Sequence, residues 1–398
     1  MLNIEKKVEP PSFALFELGF RPFFAVAGLF AVVSVAWWMA VYVFGQPLSP
    51  SGVAPMHWHG HEMVFGYAMA VVAGFLLTAV VNWTGVMTVR RAPLAVLVAL
   101  WLLARVAAYL PLEFAFQIAA LADFAFVIGL VVATAIPVWK VRQWSQLGIL
   151  SKLVLMLAAN LLFYAGVFGY LEQGVTWGLY SGLYVLIGLV FVMGRRVIPF
   201  FIERGVDEDC ALRNRSWVDV SSLVLFVAWF VLEVFTSQAQ LVALLSLLLF
   251  AIHALRLWDW HTPGIWRKPL LWSLYLGYGF MLLGFLLKAL GIWLGHAPSL
   301  ALHAFAYGAV GLVTIGMMAR VALGHSGRNV FDPPRILVPV FALVLAGALV
   351  RVLLPLLLPQ YYNAWIAASQ LLWIAGFGVF TLIYLPILWQ PRIDGRPG

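Results

Sequence analysis

Residues 56–85 read MHWHGHEMVFGYAMAVVAGFLLTAVVNWTG, and the run from Met63 to Val81 holds no charged side chain. A helix of roughly 20 such residues crosses the ~30 Å of hydrocarbon in a bilayer. An open strand cannot, because its backbone groups find no partners in lipid. The stretch is therefore expected to be a membrane-spanning helix with histidines at its mouth. The rest of the chain shares its character. Of 398 residues, 64% are hydrophobic and 10% charged, whereas soluble domains carry about a quarter charged residues. A buried core alone cannot absorb that much hydrocarbon, so lipid must be the solvent.

The same window places helices near 22–45, 62–82, 93–110, 116–138, 150–170, 176–200, 217–235, 238–258, 269–294, 299–322, 335–358 and 364–389. The expected fold is an all-α polytopic membrane bundle of about 12 helices, a single integral membrane domain over 1–398. Lys6 and Lys7 precede the first span as in a signal peptide. Residues 22–44 are too long for that and end without a small-residue cleavage site, so the span is expected to stay. No soluble domain interrupts the array; the longest polar stretch is Glu203–Arg215. Arg21-Pro22-Phe23-Phe24 is echoed by Ile198-Pro199-Phe200-Phe201, which raises the option of halves at 1–200 and 201–398. The single cysteine, Cys210, excludes an internal disulfide and a thiolate-built metal site.

All but three of the 24 lysines and arginines fall on one side of this array. They occupy the amino-terminal segment (Lys6, Lys7, Arg21), the even-numbered connections and the carboxyl-terminal tail (Arg392, Arg396). The positive-inside rule then puts both termini and every even connection in the cytoplasm. The net charge of +8 reads as topology signal and contact with anionic lipid, not nucleic-acid binding.

The three exceptions, Arg105, Lys288 and Arg351, fall in the outer halves of odd-numbered helices. A cation in lipid costs at least a few kcal/mol on the insertion scale of about 2.5–3.5 kcal/mol. Either they snorkel or pair with a carboxylate such as Glu113, Asp123, Glu172 or Glu233, or they face a polar cavity and hold an anion, for which haem propionates are one candidate.

Five of the eight histidines lie on the outer side: His57, His59, His61, His296 and His303. If residues 57–61 are extended, all three imidazoles share a side. If they are helical, His57 and His61 share a face while His59 points away. Either arrangement offers nitrogen donors to a metal, and Met56 and Met63 beside them favour copper over magnesium or calcium. Glu62 could orient a ligand. His61 and His303 lie at matching depth on the second and tenth helices and could ligate one haem iron from opposite faces. Gly66, Gly74, Gly308 and Gly311 would leave room for a flat macrocycle. His253 and His261 read as interfacial side chains at the cytoplasmic side.

These residues resemble the NnrS family of haem- and copper-containing multi-pass bacterial membrane proteins. The matching pieces are Phe20-Arg21-Pro22-Phe23-Phe24, His59-Gly60-His61-Glu62-Met63-Val64-Phe65-Gly66-Tyr67 and Asn82-Trp83-Thr84-Gly85. His303, Met317-Met318-Ala319-Arg320 and Leu323-Gly324-His325-Ser326-Gly327-Arg328 complete them. The family's usual final motif is Gly-His-Thr-Gly-Arg, so Ser326 departs from it but keeps the hydroxyl. The resemblance implies haem (of b type), copper, the bacterial cytoplasmic (inner) membrane and tolerance of nitric oxide. Carried over by motif, His59, His61, Glu62, His303, Arg320 and His325 are expected functional positions. The metal set is expected to be His57, His59, His61, His303 and Glu62. Cofactor contacts are expected from His61, His303, Arg105, Lys288, Arg351, Arg320 and His325. The bundle also resembles the main subunit of haem–copper oxidases, but those hold copper on helices six and seven, and residues 176–200 and 217–235 contain no histidine.

Two functions compete. One is a haem–copper protein that binds nitric oxide or turns it over, as a nitric oxide-reducing or -detoxifying enzyme fed by a quinol or another electron donor. The other is a membrane transporter or a haem- or copper-handling protein.

Overall fold

The computed structural model describes residues 13–395 apart from 49 and 51. Lys6, Lys7 and Arg396, which entered the charge count, lie outside the described residues. The described chain contains twelve long helices and no strand. They are α1 Phe20–Tyr42, α2 Pro55–Thr84, α3 Ala92–Ala107, α4 Ala115–Lys140, α5 Trp144–Val167, α6 Gly174–Gly205, α7 Ser216–Phe235, α8 Ala239–Asp259, α9 Pro269–Leu294, α10 Pro298–His325, α11 Leu337–Leu357 and α12 Pro359–Trp389. All but α3 are long and apolar enough to cross a membrane by themselves. At 16 residues α3 rises about 24 Å. It stops before the expected 110 because Leu110 precedes Pro111, and a residue before proline is pushed out of the helical region. The protein is thus a multi-pass helical membrane bundle.

The most deeply covered span is α2, which packs against α1, α4, α6 and α10. α1 packs along α12 and α2, α9 along α8 and α10, α5 along α6, and α11 along α12. α2 and α10 are neighbours, joined at mid-length by the Tyr67 and Thr314 hydroxyls 2.6 Å apart.

Both of these central helices are broken in the same way. In α2 a π-helical segment, Glu62–Ala68, follows His61; in α10 another, Ala304–Gly311, follows His303. One offset relates His61 to His303, Gly66 to Gly308, Gly74 to Gly316 and Gly85 to Gly327. Gly85 and Gly327 both adopt left-handed backbone, with φ of 68° and 77°, just past the ends of their helices. Gly66 and Gly74 face Phe30 and Phe23–Phe24 of α1, while Gly308 and Gly316 face Phe280 and Ser273–Leu274 of α9. Those α1 and α9 partners are again related by a single offset. Finally α3 carries Arg105 in its last turn, and α11 carries Arg351 in the last turn of its first segment, Leu337–Val352. The structure therefore pairs α1–α3 with α9–α11. Residues 21–24 open α1, whereas 198–201 lie near the close of α6.

Candidate functional site

The chemistry-bearing groups sit where α2 and α10 begin. Pro55, in the first turn of α2, nucleates a helix that runs through the histidine run, so the extended alternative for 57–61 is corrected. Helical geometry separates the imidazoles. His61 turns inward and is fully buried, His57 lies one turn nearer the end on the same side, and His59 faces α1. Met56 is exposed and the Met63 sulfur takes a contact from Ser34, so neither joins a histidine.

Around His61 a closed polar network forms. Nδ1 lies 3.1 Å from Glu62 Oε1, and Nε2 lies 3.0 Å from Asn160 Oδ1 and 3.6 Å from Asp123 Oδ2. Arg105 donates to Glu62 Oε1 at 2.7 Å and forms an ion pair with Asp123. Tyr164 donates to Asp123 Oδ2 at 3.1 Å. Trp58 and Phe163 stack on the imidazole with centroids 5.0 and 4.3 Å away. One cation thus meets two carboxylates, and both nitrogens of His61 are engaged.

The corresponding place on α10 is built differently. His303 Nδ1–H donates to the Ser299 carbonyl at 2.8 Å, which leaves Nε2 as the nitrogen with the free lone pair. A backbone carbonyl on the far nitrogen is the usual way a ligating histidine is oriented. Here Nε2 faces Arg351 Nη2 at 3.3 Å. Ala304 stands where Glu62 stands on α2, and among the described residues no carboxylate pairs with Arg351. Arg351 lies 5.8 Å from the Tyr362 ring and its Nη1 is buried without a partner. His59 reaches the same neighbourhood from α2. It interacts electrostatically with both Arg351 and His303, stacks on Trp38 at 4.7 Å, and keeps a buried, unpartnered Nδ1.

Of the three unexpected cations, then, two are paired and one is not. Lys288 forms an ion pair with Glu233, to which Tyr184 also donates. Asp123 and Glu233 are the partners chosen from the four carboxylates considered.

The remaining motif residues gather at the opposite, basic end of the bundle. Arg21 donates to the carbonyls of Leu388 and Gln390 at 2.9 and 2.6 Å, closing the last turn of α12. His325 packs on Phe20 and meets Asn82, and its carbonyl accepts from Arg392. Arg320 lies 3.8 Å over the Phe201 ring. From His303 to His325 the helix rises roughly 33 Å, so Arg320 and His325 do not share a site with the outer histidines.

Sequence reasoning missed Asn160, Tyr164, Trp38 and Ser299, and the only available signal was one polar residue in each apolar run. His253 is also corrected. It is fully buried rather than interfacial, with Nδ1 2.7 Å from the Tyr278 hydroxyl, which Arg256 also contacts while bonding Asp219.

The cofactors implied by the resemblance can be weighed against these donors. No three His, Cys, Asp or Glu side chains among the described residues gather as a metal cage requires, and the helical run spreads His57, His59 and His61 apart. A three-imidazole copper centre does not fit. The glycines expected to leave room for a macrocycle are filled: Gly66 by Phe30, Gly74 by Phe24, Gly308 by Phe280 and Gly311 by Trp373. Side chains of the kind that could hold an iron porphyrin stand together at α10: His303 oriented by Ser299, His59 with its unpartnered Nδ1, and Arg351.

These features define a class, a polytopic helical membrane protein with two broken, histidine-bearing helices and one uncompensated imidazole–arginine centre. Over residues 14–392 the sequence matches the family model described as NnrS protein. The chain belongs to the NnrS family. No curated protein matches it.

Proposed function

We propose that the protein is a haem-binding membrane protein of the bacterial inner membrane that binds nitric oxide or turns it over, serving tolerance of nitrosative stress. The observation that carries this is the imidazole pair beside Arg351 in a family member: His303, with Nδ1 tied to the Ser299 carbonyl and Nε2 accepting from Arg351, and His59, whose buried Nδ1 has no partner. When bound, haem of b type supplies an iron able to hold a diatomic gas. His303, its tautomer fixed by the Ser299 carbonyl, would hold the group through Nε2. His59, stacked on Trp38, would offer a second, displaceable imidazole. Arg351 would supply a fixed positive charge for the macrocycle's carboxylates. The surrounding apolar side chains exclude water, and a small neutral gas reaches the site through lipid. Copper has no comparable donor set among the described residues. Turnover by reduction would draw electrons from a quinol or a partner protein.

The test is an anaerobic optical spectrum of the purified protein with metal analysis. A Soret band that shifts on adding nitric oxide is expected. His303→Ala and His59→Ala should each lose the band, while His261→Ala keeps it. A protein without haem, or equal haem in all three variants, would overturn the assignment.

Transport is the second reading. It is favoured by the correspondence of α1–α3 with α9–α11 and by the interruption of α2 and α10, both features of transporter architecture. Release of haem or copper, or movement of solute, in proteoliposomes would support it over a retained redox centre.

A further inference from the structure

Arg105 and Arg351 occupy equivalent places in the two corresponding units, yet among the described residues only the first has counter-charges. In the α1–α3 unit, Glu62 and Asp123 take the two ends of the guanidinium. In the α9–α11 unit, alanine replaces the glutamate and α12 brings no carboxylate to Arg351. Arg351 is 7% exposed, and its contacts are an imidazole nitrogen and Tyr362. Nη1 has no partner, nor does Nδ1 of His59, which interacts with Arg351 electrostatically. Burying a cation without a counter-charge is costly, so the site favours an incoming anion.

We propose that Arg351, with His303 and Tyr362, is a binding site for a single monovalent carboxylate at the histidine end of the bundle. The chemistry selects the class. A planar guanidinium fork matches a carboxylate through two parallel hydrogen bonds. One carboxylate balances the one cation that lacks a counter-charge among the described residues. The sister unit carries the same solution internally, with carboxylates seated on Arg105. The carboxylate has two sources, a free small acid or the side arm of a bound macrocycle. The site does not rest on the haem assignment, because it follows from the missing counter-charge alone.

The test uses full-length protein in lipid nanodiscs, prepared without added haem, and has two arms. In the first, acetate is titrated at constant ionic strength against chloride, read by tryptophan emission and by thermal unfolding. In the second, binding of iron protoporphyrin is compared with that of its dimethyl ester, which lacks the free carboxylates. If the source is a free acid, acetate should bind saturably and at least tenfold more weakly to Arg351→Gln. If it is the macrocycle, wild type should prefer the free acid to the ester at least tenfold, and Arg351→Gln should erase the preference. Arg351→Lys keeps the charge and tests the fork, and should fall between the two in whichever arm responds. Acetate no better than chloride, together with a free-acid preference absent or unchanged in Arg351→Gln, would overturn the proposal. A chain that takes up acetate but no haem would refute the haem reading and leave this one standing.

Discussion

Arg105 and Arg351 show how one residue type plays two parts in the same fold. Replacing Arg105 with methionine strands Glu62 and Asp123 in a nearly dry interior. Removing one member of a buried ion network costs about 3–5 kcal/mol. Arg105→Met is therefore expected to unfold at markedly lower denaturant, whereas Arg351→Gln, which removes a buried cation and leaves no carboxylate behind, should be at least as stable as wild type without ligand. Equal losses in the two variants, measured by reversible unfolding in detergent, would contradict the assignment of partners. A second prediction concerns Cys210 in the loop between α6 and α7. Burial raises its thiol pKa, and Glu203 and Glu208 add to the shift. A raised thiol pKa means less thiolate at neutral pH, so alkylation should be slow at pH 7 and climb through the alkaline range. Glu203→Gln should move that climb to lower pH, and an unchanged rate profile would count against the charge effect.

At the level of helices, the decisive events are the starts and breaks of α2 and α10. Proline opens each, histidine ends the first α-helical turns, and a π-helical segment re-aims everything after it. Such insertions are rare and concentrate at functional sites. Gly308 lets the Phe280 ring close on α10, and any side chain there would collide with it. Gly308→Leu is expected to destabilise by roughly 1–3 kcal/mol through overpacking, and to loosen His303, so retained haem should fall with stability. At the basic end, Arg21 caps α12. Charged hydrogen bonds contribute about 1.5–3 kcal/mol. Arg21→Ala should therefore speed proteolysis near residues 390–395 while leaving the histidine end intact. Simultaneous loss at both ends would mean that the bundle, not the cap, had failed.

Across the whole molecule, alternating loop charge sets which face holds which cluster. Cys210 shares the basic face, so an impermeant maleimide should label it in inverted vesicles and not in intact cells. Tyr170 is exposed on the histidine face; Tyr170→Cys, on a Cys210→Ser background, should label in intact cells. Reversed labelling would turn the topology over and with it the placement of the site.

Much of this architecture is legible without coordinates. Apolar run length decides that Phe20–Tyr42 or Pro269–Leu294 is a span, because backbone groups in lipid must be satisfied within their own segment. The loop arginines decide orientation, because each acts where it sits in the chain. Local propensity also foreshadows the helix through His57–His61, but it does not say that His61 meets Asn160 or that His59 meets Trp38. Those contacts join residues far apart in sequence, and they depend on how α2 lies against α1, α4 and α5. The same holds for the cations. Arg105, Lys288 and Arg351 look alike in the sequence, and only packing determines that two find carboxylates and one does not. Solvent and backbone chemistry act locally and can be read along the chain, whereas charge compensation is a property of neighbours in space, which tertiary packing alone supplies.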